Sequence, residues 1–159
     1  MAQPINLRSL IKPEAKLCTT VEYANGIKFN INYISRSKLQ NILRSSSSVK
    51  WTDNGKGRQE TVDPDKFRDK FISECVNGWE GVTPESLNNI VPMDSESLSA
   101  LSETERKEPI PFSADQMKCL FEHVYGLEEF LQAASTDVSV FQTTKQEEEK
   151  NSESSPSGN

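Results

Sequence analysis

The side chains that could do chemistry in this 159-residue chain are few and far apart. His123 is its one histidine, and it follows Glu122 on a helical stretch beside an apolar stripe. Such a residue can serve as a general base when a cleft perturbs its pKa. No serine sits in a Gly-x-Ser-x-Gly elbow to pair with it, so His123 reads as a half-exposed rim residue. Cys18, Cys75 and Cys119 are odd in number, widely spaced and without a Cys-x-x-Cys. A structural zinc site needs about four Cys or His ligands in short spaced pairs. The expectation is therefore three reduced, buried thiols packing as small hydrophobes. The carboxylate pairs Asp63/Asp65 and Glu128/Glu129 fall at helix starts or on solvent faces; at a helix start they favour the helix dipole. Gly55-Lys56-Gly57 lacks the spacing and the Gly-Lys-Ser/Thr of a phosphate-binding loop. It reads as a turn inside a flexible loop, Trp51 to Gln59. No catalytic, cofactor-binding or metal-binding residue is assigned, and no enzymatic activity is expected.

Composition points the same way. Hydrophobic residues make up 34% of the chain and mean hydropathy is −0.64, so part of it is expected to stay unfolded alone. The length suits one domain with one modest core. No apolar run approaches the roughly 18 residues of a membrane span. Met1-Ala2-Gln3-Pro4 lacks the charged and apolar regions of a signal peptide, so the expected compartment is the cytoplasm, with no membrane partner. Residues 1–60 carry ten Lys/Arg against four Asp/Glu, a net of +6; residues 61–159 carry eight against twenty, a net of −12. The basic residues are scattered, with no aromatic stripe among them, and nucleic acid is not expected as a partner.

The elements that must position these residues follow from patterning. A lead-in, Ile5 to Ile11, ends at Lys12-Pro13. A β-hairpin over 18–34 turns at Ala24-Asn25-Gly26. A two-residue Asn25-Gly26 turn would pair Tyr23 with Lys28 and mix apolar with polar. A three-residue loop pairs Tyr23 with Ile27, Val21 with Phe29 and Glu22 with Lys28, and is preferred. Helices are expected over about 36–44, 64–77, 84–90 and 113–134, with Gly126 a candidate break in the last. Ser35 or Ser37 caps the first, Asp63-Pro64 starts the second, and Ser113 with Gln116 forms a capping box on the last. The Ser/Glu-rich stretch 93–108 reads as a linker or insertion with at most one helical turn. Val138 to Phe141 is a short strand or docking segment. The expected fold class is α+β: an N-terminal β-hairpin packed against a mostly helical core over 1–141, with a disordered acidic tail over 142–159.

Two phrases stand out. Asn77-Gly78-Trp79-Glu80-Gly81-Val82-Thr83 marks a rigid, buried turn where a helix must stop, and Pro109-Ile110-Pro111-Phe112-Ser113 launches the final helix. Trp79 is either a partner-binding anchor or, the preferred reading, a core residue plugging hairpin against helices.

In order along the chain, Ile5-Asn6-Leu7 to Ile11-Lys12-Pro13, the hairpin, Tyr33-Ile34-Ser35-Arg36-Ser37-Lys38-Leu39, Gly78-Trp79-Glu80-Gly81-Val82 and Ile110-Pro111-Phe112-Ser113 lead to a paired terminal helix. This order resembles the tail assembly chaperones (minor tail or tail assembly proteins) of long-tailed bacteriophages and prophages, over about residues 5–134. The stretch 93–108 departs from that pattern in length and polarity. The resemblance implies a non-enzymatic protein of the bacterial host cytoplasm, not present in the mature virion. It implies binding to the hydrophobic tape measure protein, keeping it soluble, and recruitment of tail tube subunits. Many family members also have a longer form made by ribosomal frameshifting near the C-terminus, and a tail over 142–159 suits a tether or such a junction. Self-association through helices 113–134 is a further expectation from the apolar stripe. The alternative is a structural virion component, such as a head-tail connector or tail terminator.

Overall fold

The computed structural model describes residues 3–11, 16–52 and 54–142. The expected tail lies outside the described residues except for Gln142, which ends a helical turn over 138–142.

The fold is α+β. Strand β1 (Cys18–Ala24) pairs with β2 (Ile27–Asn32), as the apolar alternation requires. Val21 faces Phe29 and Glu22 faces Lys28, as expected. The turn differs from expectation. Ala24, not Tyr23, opposes Ile27, and Asn25 and Gly26 have φ of 53° and 80°. It is thus a two-residue turn with both central residues at positive φ, the geometry that matches strand twist. A bulge between Glu22 and Ala24 then restores the register. The preference for a three-residue loop rests on a ladder without a bulge, and the bulge removes the mixed pairing that counts against the two-residue turn.

A third strand, absent from the sequence reading, completes this sheet. The helix begun at Asp63-Pro64, α3 (Pro64–Cys75), ends at Cys75 rather than 77. The next residues form β5 (Val76–Glu80), which pairs antiparallel with β2. Phe29 faces Trp79, and Lys28 faces Glu80. Gly78-Trp79 is therefore strand, not turn. The chain reverses at Gly81, whose φ is 73° and whose missing Cβ would collide with the Gly26 carbonyl. The sheet order is β1-β2-β5, with β2 central.

One face of this sheet is covered by helices. Ile27, Phe29 and Ile31 of β2 are fully buried, at period two. Against them lie Phe71 and Cys75 of α3, Met117 of α7 (Ala114–His123), and Leu127 and Leu131 of α8 (Leu127–Thr136). The stretch 113–134 is divided into two helices at Gly126, the candidate break, which takes a φ of 83°. Phe71 bridges the layers, its ring 5.9 Å from Phe67 and 6.2 Å from Phe121. The Ile34 amide donates to the Ser135 carbonyl at 2.8 Å, fixing the end of β2 to α8. The turn over 138–142 is helical rather than extended, and buried Phe141 packs on Tyr33 at 5.6 Å.

Between these parts the chain makes α2 (Arg36–Ser45), capped by Ser35, and then a second hairpin. β3 (Ser47–Thr52) and β4 (Gly57–Val62) form a separate two-stranded sheet where a flexible loop was expected. The helix α4 (Pro84–Leu87) is shorter than the expected 84–90. The stretch 93–108 holds two one-turn helices, α5 (Ser95–Ser99) and α6 (Glu103–Arg106). The lead-in contains one more turn, α1 (Leu7–Leu10), none of it buried.

Candidate functional site

The two motifs singled out in the sequence meet in space. The Trp79 indole N–H donates to the Ile110 carbonyl at 2.7 Å, and the Phe112 ring meets the indole edge-on at 5.2 Å. The Ile110 amide donates in turn to the Val82 carbonyl at 2.8 Å. Phe29 contacts the other side of the indole at 6.4 Å. Trp79 is thus the latch that fixes the Ile110–Phe112 phrase to the sheet and sets where α7 begins. Ser113 then caps α7, accepting from the Gln116 amide at 3.2 Å.

Between this latch, α4 and α7 runs an open apolar groove of about 550 Å³. Trp79, Val82, Leu87, Met93, Ile110 and Leu120 contribute to its walls, and His123 and Cys119 reach its rim. Both rim residues are exposed. His123 shares this groove with no carboxylate or serine that could complete a proton relay. A second depression, of about 660 Å³, is lined mostly by polar residues from the segment before β1, the end of β2, α2 and α3, and the Lys38–Glu74 ion pair at 2.7 Å lies within it.

The thiols divide. Cys75 is buried as expected, and burial pushes its pKa up to about 12, against the opposing pull of a Ser135 hydrogen bond. Cys18 and Cys119 are exposed, which corrects the expectation of three buried thiols. Cys18 lies on the open face of the sheet, donating to the Asn30 side-chain oxygen at 3.0 Å. Asn77 joins the same polar ladder, donating to the Asn30 and Asn32 side-chain oxygens at 2.9 and 2.7 Å. Among the described residues no three His, Cys, Asp or Glu are grouped to hold a metal, and every buried side-chain nitrogen or oxygen has a hydrogen-bond partner. The carboxylates behave as helix and interface charges. Asp63 caps α3, accepting from the Asp65 amide at 3.0 Å, and Glu128 accepts from the Arg68 guanidinium at 3.1 Å.

A comparison with known proteins finds no matching family model, no matching curated protein and no matching solved structure. The chain's own surface must therefore carry the functional argument. Its most distinctive part is the hairpin β3–β4. Residues directly opposite share a face, so Val62, Val49 and Trp51 lie together with Ser47, Glu60 and Arg58, Glu60 opposite Val49 and Arg58 opposite Trp51. Trp51 is 68% exposed, Val49 41% and Val62 44%. A two-stranded hairpin is marginal by itself, and the base of this one is tied down. The Asp63 amide donates to the Ser46 carbonyl at 2.9 Å, and the Lys70 ammonium to the Ser45 carbonyl at 2.8 Å. The hairpin is an arm held at its root, with an exposed tryptophan and arginine toward its tip. The sequence reading assigns no site to this hairpin. The Asn54-Gly55 pair was its available signal. Among the described residues no helix is long and apolar enough to cross a membrane.

Proposed function

We propose that this chain is a non-enzymatic assembly chaperone of a long-tailed phage or prophage. It binds the tape measure protein, keeps it soluble, and helps recruit tail tube subunits in the host cytoplasm before leaving the maturing particle. The observation that carries this reading is the arm: Trp51, Val49 and Val62 exposed on one face of a rooted hairpin, with Arg58 beside the indole. Tryptophan and arginine are the residue types most enriched at binding hot spots. Aliphatic and aromatic side chains bordered by Glu60 and Arg58 fit an amphipathic helical client better than a small substrate. The order of sequence motifs supports the choice of client. The apolar stripe of 113–134, Met117 to Leu131, is buried in the chain's own core, so the self-association in this reading uses the open groove that α7 borders instead.

The test is co-expression with the tape measure protein encoded beside this chain, with solubility and co-purification as readouts. A soluble, co-purifying client supports the reading. A client that stays insoluble and unbound removes it, and detection of this chain in purified virions would favour a connector or terminator instead.

A further inference from the structure

Asn-Gly occurs three times in this chain, at Asn25-Gly26, Asn54-Gly55 and Asn77-Gly78. Each pair carries its own reagent. The glycine amide nitrogen can attack the asparagine side-chain carbonyl, because glycine has no Cβ to hinder the approach. We propose that Asn54, at the tip of the β3–β4 arm, is a site of spontaneous deamidation in the native protein, with water as co-reactant, while the fold holds Asn25 and Asn77 unreactive. In the first step the Gly55 amide loses its proton and its nitrogen bonds to Asn54 Cγ. The bond from Cγ to Nδ2 breaks, and that nitrogen takes up the proton and leaves as ammonia, so a five-membered succinimide remains. Water then opens the ring at one carbonyl or the other, giving aspartate or isoaspartate at position 54. Nothing is oxidised or reduced.

The three sites differ in what restrains them. Asn77 is fixed at its side chain. Its Nδ2 donates to the Asn30 and Asn32 side-chain oxygens at 2.9 and 2.7 Å, and its Oδ1 accepts from Asn32 Nδ2 at 3.0 Å. Gly78 is paired in the sheet opposite Asn30. Swinging the Asn77 Cγ onto the Gly78 nitrogen breaks this ladder. Asn25 is restrained through its backbone. Its side chain is exposed, but its turn leads straight into fully buried Ile27, and the Gly26 carbonyl packs so closely on Gly81 that a Cβ there would collide with it. Opening this turn disturbs β2, the central strand.

Asn54 has neither restraint. The connection between Thr52 and Gly57, the last pair of the ladder, contains Asn54, Gly55 and Lys56, all exposed. Among the described residues the Asn54 side chain has no hydrogen-bond partner. The ties at Ser45, Ser46, Asp63 and Lys70 hold the opposite end of the arm. The two turns start from the same backbone, with φ of 53° and 80° at Asn25-Gly26 and 56° and 80° at Asn54-Gly55, so the brace at Gly81 and not the turn shape separates them. A loop tip away from the core opens at little cost, and reactions of the native state follow that local opening. Lys56 also follows Gly55 directly, where the first turn has Ile27, and a neighbouring cation favours the anionic nitrogen that attacks. The product alters the arm: it adds a carboxylate at the tip, and isoaspartate also lengthens the backbone beside the pairing of Trp51 with Arg58.

This modification rests on the fold and not on the proposed client, and its test is independent of client binding. The native full chain is incubated at mildly alkaline pH, which favours the deprotonated amide, and the three Asn-Gly peptides are followed by mass spectrometry, with isoaspartate detected by enzymatic methylation. Asn54 is expected to convert about tenfold or more faster than Asn25 or Asn77. In guanidinium chloride, where the fold no longer protects, the three rates are expected to converge to within a few-fold. Asn54→Gln should remove the fast conversion, because the longer side chain closes its ring slowly. A native rate at Asn25 or Asn77 equal to that at Asn54 overturns selection by the fold, as does a ranking that persists unchanged in denaturant. An Asn54 that stays intact in the native chain over the time that converts it in the denatured chain overturns the site itself.

Discussion

The two tryptophans of this chain show how one residue type is put to opposite uses. Trp79 sits on a central sheet, between Phe29 and Phe112, and its N–H is satisfied by the Ile110 carbonyl. Trp51 sits on a two-stranded arm, largely exposed, across from Arg58. The difference lies in their strands. β5 joins a sheet whose other face is closed by α3, α7 and α8, so its side chains find neighbours. Among the described residues β3 pairs only with β4, and Trp51 and Val49 stay exposed on that face. Trp79 should therefore govern stability, and Trp51 binding.

The sharpest break of this comparison is Trp79→Ala. It removes two edge-on ring contacts and a part-buried hydrogen bond, and should cost about 3 kcal/mol in urea denaturation. A loss below about 1 kcal/mol would show that Trp79 is not the latch. Next comes Gly81→Ala, which forces a side chain into the left-handed region and against the Gly26 carbonyl. A loss of about 2–4 kcal/mol is expected, with the turn between β1 and β2 displaced. Arg68→Ala should cost about 1 kcal/mol, because it frees the mostly buried Glu128 carboxylate that joins α3 to α8. Trp51→Ala should change stability by no more than about 0.5 kcal/mol, since an exposed position has little packing to lose.

Thiol chemistry sharpens the same division between covered and open regions. An alkylating reagent near neutral pH should label Cys18 and Cys119 in the native protein and spare Cys75 until unfolding. The sign also follows for pH. The Cys75 pKa is raised from 9.0 to about 12 on folding, so its contribution to stability is intact below pH 9 and is lost progressively as pH rises from 9 towards 12. Cys75→Ser should flatten that part of the stability profile.

The legible parts of the fold are those where local pattern and tertiary context agree. The first hairpin announced itself by alternation at Val21, Phe29 and Ile31, and α3 by Asp63-Pro64 and its phenylalanine stripe. β5 was hidden because Asn77-Gly78 is a strong helix stop, and the stop was mistaken for a turn. Its pairing with β2 is a long-range fact that five residues do not encode. The second hairpin was hidden because its alternation is confined to Val49 and Trp51, while the facing strand sets Glu60 and Arg58 against them. Asn54-Gly55, the same dipeptide that turns the first hairpin, was the remaining cue. The partnership of Trp79 with Ile110 and Phe112 was legible only as two unusual phrases; the 2.7 Å hydrogen bond explains why both are present. The arm was not legible as a site, since exposure is set by which face the second layer covers.

The most direct test of the account is the amount of tape measure protein kept soluble and co-purified by the wild-type chain and by Trp51→Ala, with both chains first shown to be equally folded. The account predicts that the wild type holds its client and that the variant loses most of that capacity at unchanged stability. Equal retention by the two chains would contradict the assignment of the arm as the client-holding surface. Failure of the wild type itself to hold any client would contradict the chaperone function.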